Sequence, residues 1–326
     1  MVFFFFILSA IIVHSIIKLN KNYYFWEDNG SKQSLKLKKR SIIQAFMFTT
    51  EDLNRFIATI KSISTYDFSD YSEKSFRRRV EKILTDYKLD INSLISKITK
   101  DSVFLERVVK DITVNTTELF RDPELWTTLK YRILPNFKKN KSIFIWHAGC
   151  SSGQEIYSML ILLAELDMFE KAKVFATDIN TDMLEYAKKG EYRYRFNLNY
   201  LDNFDKVIKE NPYNYEEKKE VEYTQYFDID KVKDTITMKK FLRDKTVYRK
   251  HDLVNDKNIF YSKFDIIFCR NVIIYFNNNL QNRVIEMFCN NLYRDGYLIF
   301  GAHESILGPI ANNFERTKGV YRKKSL

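Results

Sequence analysis

Cysteine and histidine are scarce in this 326-residue chain, at three and four residues. Cys150, Cys269 and Cys289 show neither Cys-x-x-Cys spacing nor an even count. A disulfide framework and a thiolate zinc site are therefore not expected, and a reducing compartment is. No two histidines stand at ligand spacing, so metal catalysis is not expected either. Over about 191–250, internal repeats and low-complexity linkers are missing too. The remainder is ordinary for a globular protein, 45% hydrophobic and 29% charged, and long enough for two domains. One imbalance stands out: 53 Lys and Arg against 42 Asp and Glu leave a net charge of +11. That excess favours an acidic partner, whether nucleic acid, anionic lipid or acidic protein surface.

Residues 1–17, MVFFFFILSAIIVHSII, form an apolar run at the lower limit for a membrane helix. No Lys or Arg precedes it, as a signal peptide would require. Lys18, Lys21, Lys32, Lys36, Lys38, Lys39 and Arg40 follow it and would keep the downstream chain cytoplasmic if the run spans a bilayer. Three readings of residues 1–46 stay open: an anchor tethering a cytoplasmic protein to the inner membrane, an artefact of start-site choice ahead of Met47, or a cleaved signal.

Residues 47–114 read as a small all-helical domain. TTEDLNRFIATIKSI opens with a capping box, and SEKSFRRRVEKILTDY and INSLISKI repeat apolar residues at three and four. Residues 115–326 alternate strand and helix: SIFIWHA, EIYSMLILLAEL, KVFATDI, TDMLEYAKKG, FDIIFCR, NNLQNRVIEMFCNNL and YLIFGA. Such alternation predicts a doubly wound, Rossmann-like α/β domain with a parallel sheet. The rhythm breaks over about 191–250, where YTQYFDIDKVKDTITMKKFL suggests a small β insertion.

The turn WHAGCSSGQEIYS, Trp146 to Ser158, joins an apolar strand to a helix. Gly149 and Gly153 free the backbone there, and the new helix offers unpaired N–H groups to a polar or anionic ligand. A second strand, KVFATD, ends in Asp178, whose carboxylate suits the ribose hydroxyls of a nucleotide. A dinucleotide site calls for Gly-x-Gly-x-x-Gly, and Ala-Gly-Cys-Ser-Ser-Gly puts Cys150 in the way. S-adenosylmethionine carries no phosphate, and Gly149, Gly153, Glu155 and Asp178 meet its needs; a merely tight turn is the bland alternative. NTTELFRDPELW, from Asn115, is explicable alone as helix capping with a surface arginine. In FDIIFCRNVIIYF, Arg270, Asn271 and Tyr275 follow a buried strand, where side chains line the ligand crevice of this architecture.

Taken in order, N-T-T-E-L-F-R-D, A-G-C-S-S-G-Q-E-I-Y-S, A-T-D-I, C-R-N-V-I-I-Y-F and G-A-H-E-S resemble the motifs of the CheR-type chemoreceptor glutamate methyltransferases. The resemblance runs from about Met47 to the C-terminus. It implies an S-adenosylmethionine site at Asn115, Thr117, Arg121, Gly149, Glu155, Asp178, Arg270 and Asn271, with Tyr275 near the reacting methyl and Arg121 orienting reactive groups. Asp252 and Leu253, in HDLVN, stand where the family commonly has Asn-Leu beside the adenine. The resemblance further implies methylation of glutamates on the acidic helical region of methyl-accepting chemoreceptors, by a monomer that does not act on nucleic acid. The helix bearing Lys74, Arg77, Arg78 and Arg79 would face that substrate; a plain solvated surface is the alternative. One departure is clear: YFDIDKVKDTITMKKF lacks the glycine-bearing loop of family members that dock on a receptor's C-terminal pentapeptide.

The chemistry agrees with what the sequence omits. A glutamate with a pKa near about 4.3 is already ionised at neutral pH, so displacement at a sulfonium methyl needs no general base. No Ser/His/Asp arrangement is required, and alignment, which can supply on the order of 7 kcal/mol, would carry catalysis. Two rivals remain. An amino-directed nucleic-acid methyltransferase needs an Asn/Asp-Pro-Pro-aromatic turn where this chain has Cys269-Arg270-Asn271-Val272, and Asn211-Pro212-Tyr213 follows no apolar strand. A non-catalytic S-adenosylmethionine- or receptor-binding signalling module would not need Arg121, Asp178 and Tyr275 together.

Overall fold

The computed structural model describes residues 48–113, 115–255 and 259–324. The apolar run at 1–17 and the basic segment after it lie outside the described residues; among the described residues, no helix is long and apolar enough to cross a membrane. Leu53–Leu326 forms one compact unit, and the described residues before Leu53 fall outside it.

Among the described residues, four helices come first. Helix α1 (Thr50–Ile63) begins with a reciprocal cap, Asp52 N–H donating to Thr49 Oγ1 while Thr49 N–H donates to Asp52. It buries Leu53, Phe56 and Ile60. Helix α2 (Glu73–Tyr87) buries Phe76, Val80 and Ile83, again at three and four, and ends on Lys88 in the left-handed region. Helices α3 (Ile91–Lys100) and α4 (Ser102–Ile112) are capped by Asp90 and Asp101, whose carboxylates accept from Ser93 N and Phe104 N. Each such cap is worth about 1 kcal/mol.

After a short helix α5 (Pro123–Thr128), strand and helix alternate: β1 (Ile143–Ala148), α6 (Gln154–Glu165), β2 (Ala172–Asp178) and α7 (Thr181–Lys189). Then come β3 (Glu191–Arg193), α8 (Asn199–Phe204), β4 (Phe227–Asp230), β5 (Thr235–Met238), α9 (Lys240–Arg243) and β6 (Thr246–Lys250). The chain closes with β7 (Phe264–Cys269), α10 (Asn278–Asn291), β8 (Leu292–Phe300), β9 (Phe314–Thr317) and β10 (Val320–Lys323).

The large sheet has the order β6-β2-β1-β7-β8-β10-β9, parallel from β6 through β8 and antiparallel beyond. Strands β1 and β7 are buried on both faces, which explains their nearly unbroken apolar runs. Winding goes outward from β1 through β2 to β6 and then returns to β7 on the other side of β1. This reversal leaves a crevice at the carboxyl ends of β1 and β7, where ligands bind in such sheets. Helix α10 covers one face with Leu280, Val284, Ile285 and Phe288, each side chain stabilising the fold by about 1.5–3 kcal/mol on burial. The opposite face packs against α6 and the three-stranded antiparallel sheet β3-β5-β4. That small sheet arises within 191–250, whereas Thr246–Lys250 at the end of the span joins the large sheet beside β2.

The helices and the α/β layer are tied at the crevice. Tyr71 pairs with Phe276 as an isolated β bridge, Ser72 N–H donates to Tyr275 O at 2.8 Å, and Asn277 N–H donates to Asp70 O at 2.8 Å. Tyr71 also sits among Phe68, Phe76 and Phe276, with ring centroids 4.9–5.9 Å apart.

Candidate active site

Beyond β1 the backbone turns back on β2. Gly149 N–H and Cys150 N–H both donate to Thr177 O, at 2.8 and 2.9 Å. Gly149 adopts φ +73°, and a Cβ there would lie 2.5 Å from Val272 Cγ2. Gly153, at φ +92°, lies so close to α7 that a Cβ would stand 2.7 Å from that of Ala187. Both glycines therefore meet a steric demand as well as a conformational one. Ser151 takes φ +51° between them, and its N–H donates to Asp178 Oδ2 at 2.8 Å. The other oxygen of Asp178 accepts from Asn180 N–H at 2.9 Å. Burial pushes the Asp178 carboxyl above its ordinary value, against the backbone N–H donors Asn180, Ser151 and Ile179.

Beyond β7 the arrangement rests on charge. The Arg270 side chain is only 2% exposed. Its Nη1 donates to Glu155 Oε2 at 3.2 Å, and its Nη2 to Asp122 Oδ2 at 2.6 Å and Arg121 O at 3.0 Å. Glu155, in the first turn of α6, uses its second oxygen on His147 Nδ1 at 2.8 Å. Burial alone would raise the Glu155 carboxyl, but His147 and Arg270 outweigh it and hold it below the usual range. Arg121 lies between two non-glycine residues in the left-handed region, Phe120 at φ +50° and Asp122 at φ +58°. Its carbonyl also accepts from Trp126 Nε1 at 2.9 Å, and its Nη1 donates to Thr116 O at 3.3 Å. Non-glycine residues persist in such conformations only where their surroundings over-determine them, and here a buried cation does so.

Glu304 received no role in the reading of the sequence, yet it organises the β7 tip. Its carboxylate accepts N–H bonds from Asn271 at 2.6 Å, Val272 at 2.8 Å, Ile274 at 3.3 Å and Gly301 at 2.8 Å. Burial outweighs these donors and pushes its carboxyl up. Asn271 is held at φ +60° as a result, and Tyr275 follows in the next turn. The G-A-H-E-S segment pointed to the region; only the fold shows that its glutamate binds backbone rather than ligand.

These pieces line one crevice of about 1090 Å³, open mouth included, the size class of a small-molecule site. Asn115, Thr117, Arg121, Gly149, Glu155, Asp178, Asp252, Leu253, Arg270, Asn271 and Tyr275 all border it. Of the cationic helix residues, Arg79 borders it, and Lys74, Arg77 and Arg78 do not. Arg79 Nε is buried without a hydrogen-bond partner among the described residues, and Arg77 pairs with Glu73 at 3.4 Å. Asp252 makes an Asx turn, accepting from Val254 N–H at 2.8 Å. The sequence reading missed Tyr71, Ser75 and His251, which also border the crevice. Burial, with the Asp252 and Asp178 carboxylates nearby, raises the Tyr71 phenol, so it stays protonated at neutral pH.

The crevice fits S-adenosylmethionine on its own chemistry. Arg270 Nε is buried with no partner among the described residues, and the Gly149 cradle admits no Cβ. At the other end, Asp178 and Asp252 present acceptors for a nucleoside.

Comparison with known proteins agrees. Residues 115–321 match the family described as CheR methyltransferase, SAM binding domain, and residues 51–113 match CheR methyltransferase, all-alpha domain. The chain is 30% identical over 278 residues to a chemotaxis protein methyltransferase of Borreliella burgdorferi, covering 80% of this chain and 90% of that protein. It is 29% identical over 263 residues to one of Listeria innocua, covering 79% and 92%. A third, chemotaxis protein methyltransferase 1 of Vibrio cholerae, is 29% identical over 287 residues, covering 84% and 96%. With the matched domains spanning most of its length and the crevice built at their junction, the chain belongs to the CheR methyltransferase family.

Proposed function

We propose that the protein methylates glutamate side-chain carboxylates of chemoreceptors, giving methyl esters in chemotaxis adaptation. S-adenosylmethionine, when bound, supplies an electrophilic methyl group on a sulfonium. The protein's own residues bind, align and desolvate. Asp178 accepts from the ribose hydroxyls and Asp252 with Leu253 reads the adenine. Asn115, Thr117, Arg270 and Asn271 hold the amino-acid end, with Gly149 allowing the close approach. Glu155 keeps Arg270 in place.

The incoming glutamate is already anionic, so the site needs donors and walls rather than a base. Arg121 offers paired N–H groups to that carboxylate, and Tyr275 walls the transferring methyl. Displacing water from the carboxylate strengthens its attack. Arg79, at the crevice border, leads toward the rest of the cationic helix, where Lys74, Arg77 and Arg78 would attract an acidic receptor helix over long range. The observation that carries the reading is convergence: the adenosine-reading carboxylate, the buried guanidinium, Arg121 and Tyr275 come from separate segments and border a single crevice.

The test is label transfer from methyl-labelled S-adenosylmethionine, with purified protein and membranes containing chemoreceptors. Base-labile label on receptor protein is the expected result. Label in nucleic acid, or cofactor binding without transfer, would replace the proposal with one of its rivals.

A further inference from the structure

We infer that His147 is a positioning residue for this site, acting through Glu155 and Arg270 on the turn that carries Arg121; the inference rests on the proposed S-adenosylmethionine site. His147 is the fifth residue of β1, wholly buried, and it does not border the crevice. Its ring lies flat on Phe268 of β7, centroids 4.6 Å apart and planes 11° from parallel. Viewed this way it is a core aromatic. Its polar atoms point elsewhere.

Nδ1 lies 2.8 Å from Glu155 Oε1, whereas Nε2 is buried with no partner among the described residues. An ionised carboxylate only accepts, so the shared proton belongs to His147 Nδ1. The tautomer is thereby set, and Nε2 contributes no bond. From there the chain of contacts is continuous. His147 Nδ1–H fixes one oxygen of Glu155, and the other takes Arg270 Nη1. Arg270 Nη2 then holds both Asp122 Oδ2 and Arg121 O. Of the five N–H hydrogens of Arg270, one on Nη1 and two on Nη2 are directed along the array, whereas Nε is buried with no partner among the described residues. Without His147 the Glu155 carboxylate can swing on its own χ angles, and Arg270 loses the fixed partner that orients it.

Two substitutions separate this role from packing, because they pull in opposite directions. His147→Phe keeps a flat ring against Phe268 and removes the donor. His147→Asn loses the ring but can place an amide N–H near the position of Nδ1. If His147 positions the site, calorimetry with S-adenosylmethionine shows binding about tenfold weaker in His147→Phe, the size of one charge-assisted hydrogen bond. His147→Asn then stays within about threefold of the unaltered protein, despite lower thermal stability. His147→Gln, whose amide reaches toward the Nε2 position, behaves like the Phe variant. Under packing alone the order inverts, Phe binding best and Asn worst, and that order overturns the inference. So does equal binding by all variants. Absence of binding by the unaltered protein would overturn the cofactor site itself, and the inference with it.

Discussion

Beyond β1 the chain turns on backbone hydrogen bonds and two glycines, whereas beyond β7 it turns around buried charge. Gly149, Cys150 and Ser151 give their N–H groups to Thr177 O and Asp178. Arg270, by contrast, is placed by Glu155 and Asp122, and Asn271 by the Glu304 carboxylate. In the function proposed above, the first turn works by shape, Gly149 admitting the cofactor's close approach, while the second works by a cation held rigidly, and buried ions are rigid only while fully partnered. The largest expected effect follows from this. Arg270→Leu leaves Glu155 inside the protein without its guanidinium and should cost about 3 kcal/mol of stability in urea titration, since breaking a buried pair from one side is strongly destabilising. A loss within about 0.5 kcal/mol would show that charge does not build this tip.

The same contrast should separate binding from turnover. Asp178→Ala removes the proposed ribose acceptor and should weaken S-adenosylmethionine binding by roughly 2 kcal/mol, about thirtyfold, with little change in kcat at saturating cofactor. Arg121→Ala should do the reverse, lowering kcat by a similar factor while calorimetric affinity changes less. Identical profiles for the two variants would merge the tips into one functional unit.

Steric demand at β1 can be tested by a pair of substitutions. Gly149→Ala meets both φ +73° and a contact of 2.5 Å with Val272 Cγ2. It should cost about 2 kcal/mol, part conformational and part overlap. Val272→Ala in the same chain removes the overlapping atom and should recover about half. Full recovery would mean the left-handed conformation is not required; no recovery would mean the overlap is relieved elsewhere.

Much of this organisation is legible in the sequence because parallel strands are buried on both faces and therefore read as apolar runs, SIFIWHA and FDIIFC among them. Residues just after such runs line the crevice, and so Asp178, Arg270 and Asn271 stand out. Strand β6 is harder. At the sheet edge it has a wet face and reads TVYRK, an alternating pattern that blends with the β insertion before it. Glu304 and Tyr71 are invisible for a different reason: each matters through a partner remote in the chain, Asn271 at a separation of 33 residues in one case and Phe276 in the other. His147 looks like any residue of a buried strand until Glu155, one turn-and-helix start later, is seen to face it. Periodicity reports which face is buried; it does not report which buried polar groups meet.

The smallest expected effect distinguishes the two tips by the sign of a pH slope. Glu155 is held below its ordinary value of 4.5, so the stability it contributes is full above that pH and is lost as pH falls through the folded-state pKa. Asp178 is raised above its ordinary 3.8, so its contribution is full below that pH and is lost as pH rises through the folded-state pKa. Urea titrations of the unaltered protein, Glu155→Gln and Asp178→Asn between about pH 3 and pH 6 isolate each group, because the remaining titrations cancel in the differences. The stability deficit of Glu155→Gln should grow with rising pH, whereas that of Asp178→Asn should shrink. Neither slope can exceed about 1.4 kcal/mol per pH unit, the limit for a single proton. Deficits that shrink for both variants would mean that both carboxylates answer to burial alone, and the contrast between a shaped tip and a charged one would fail at its most sensitive point.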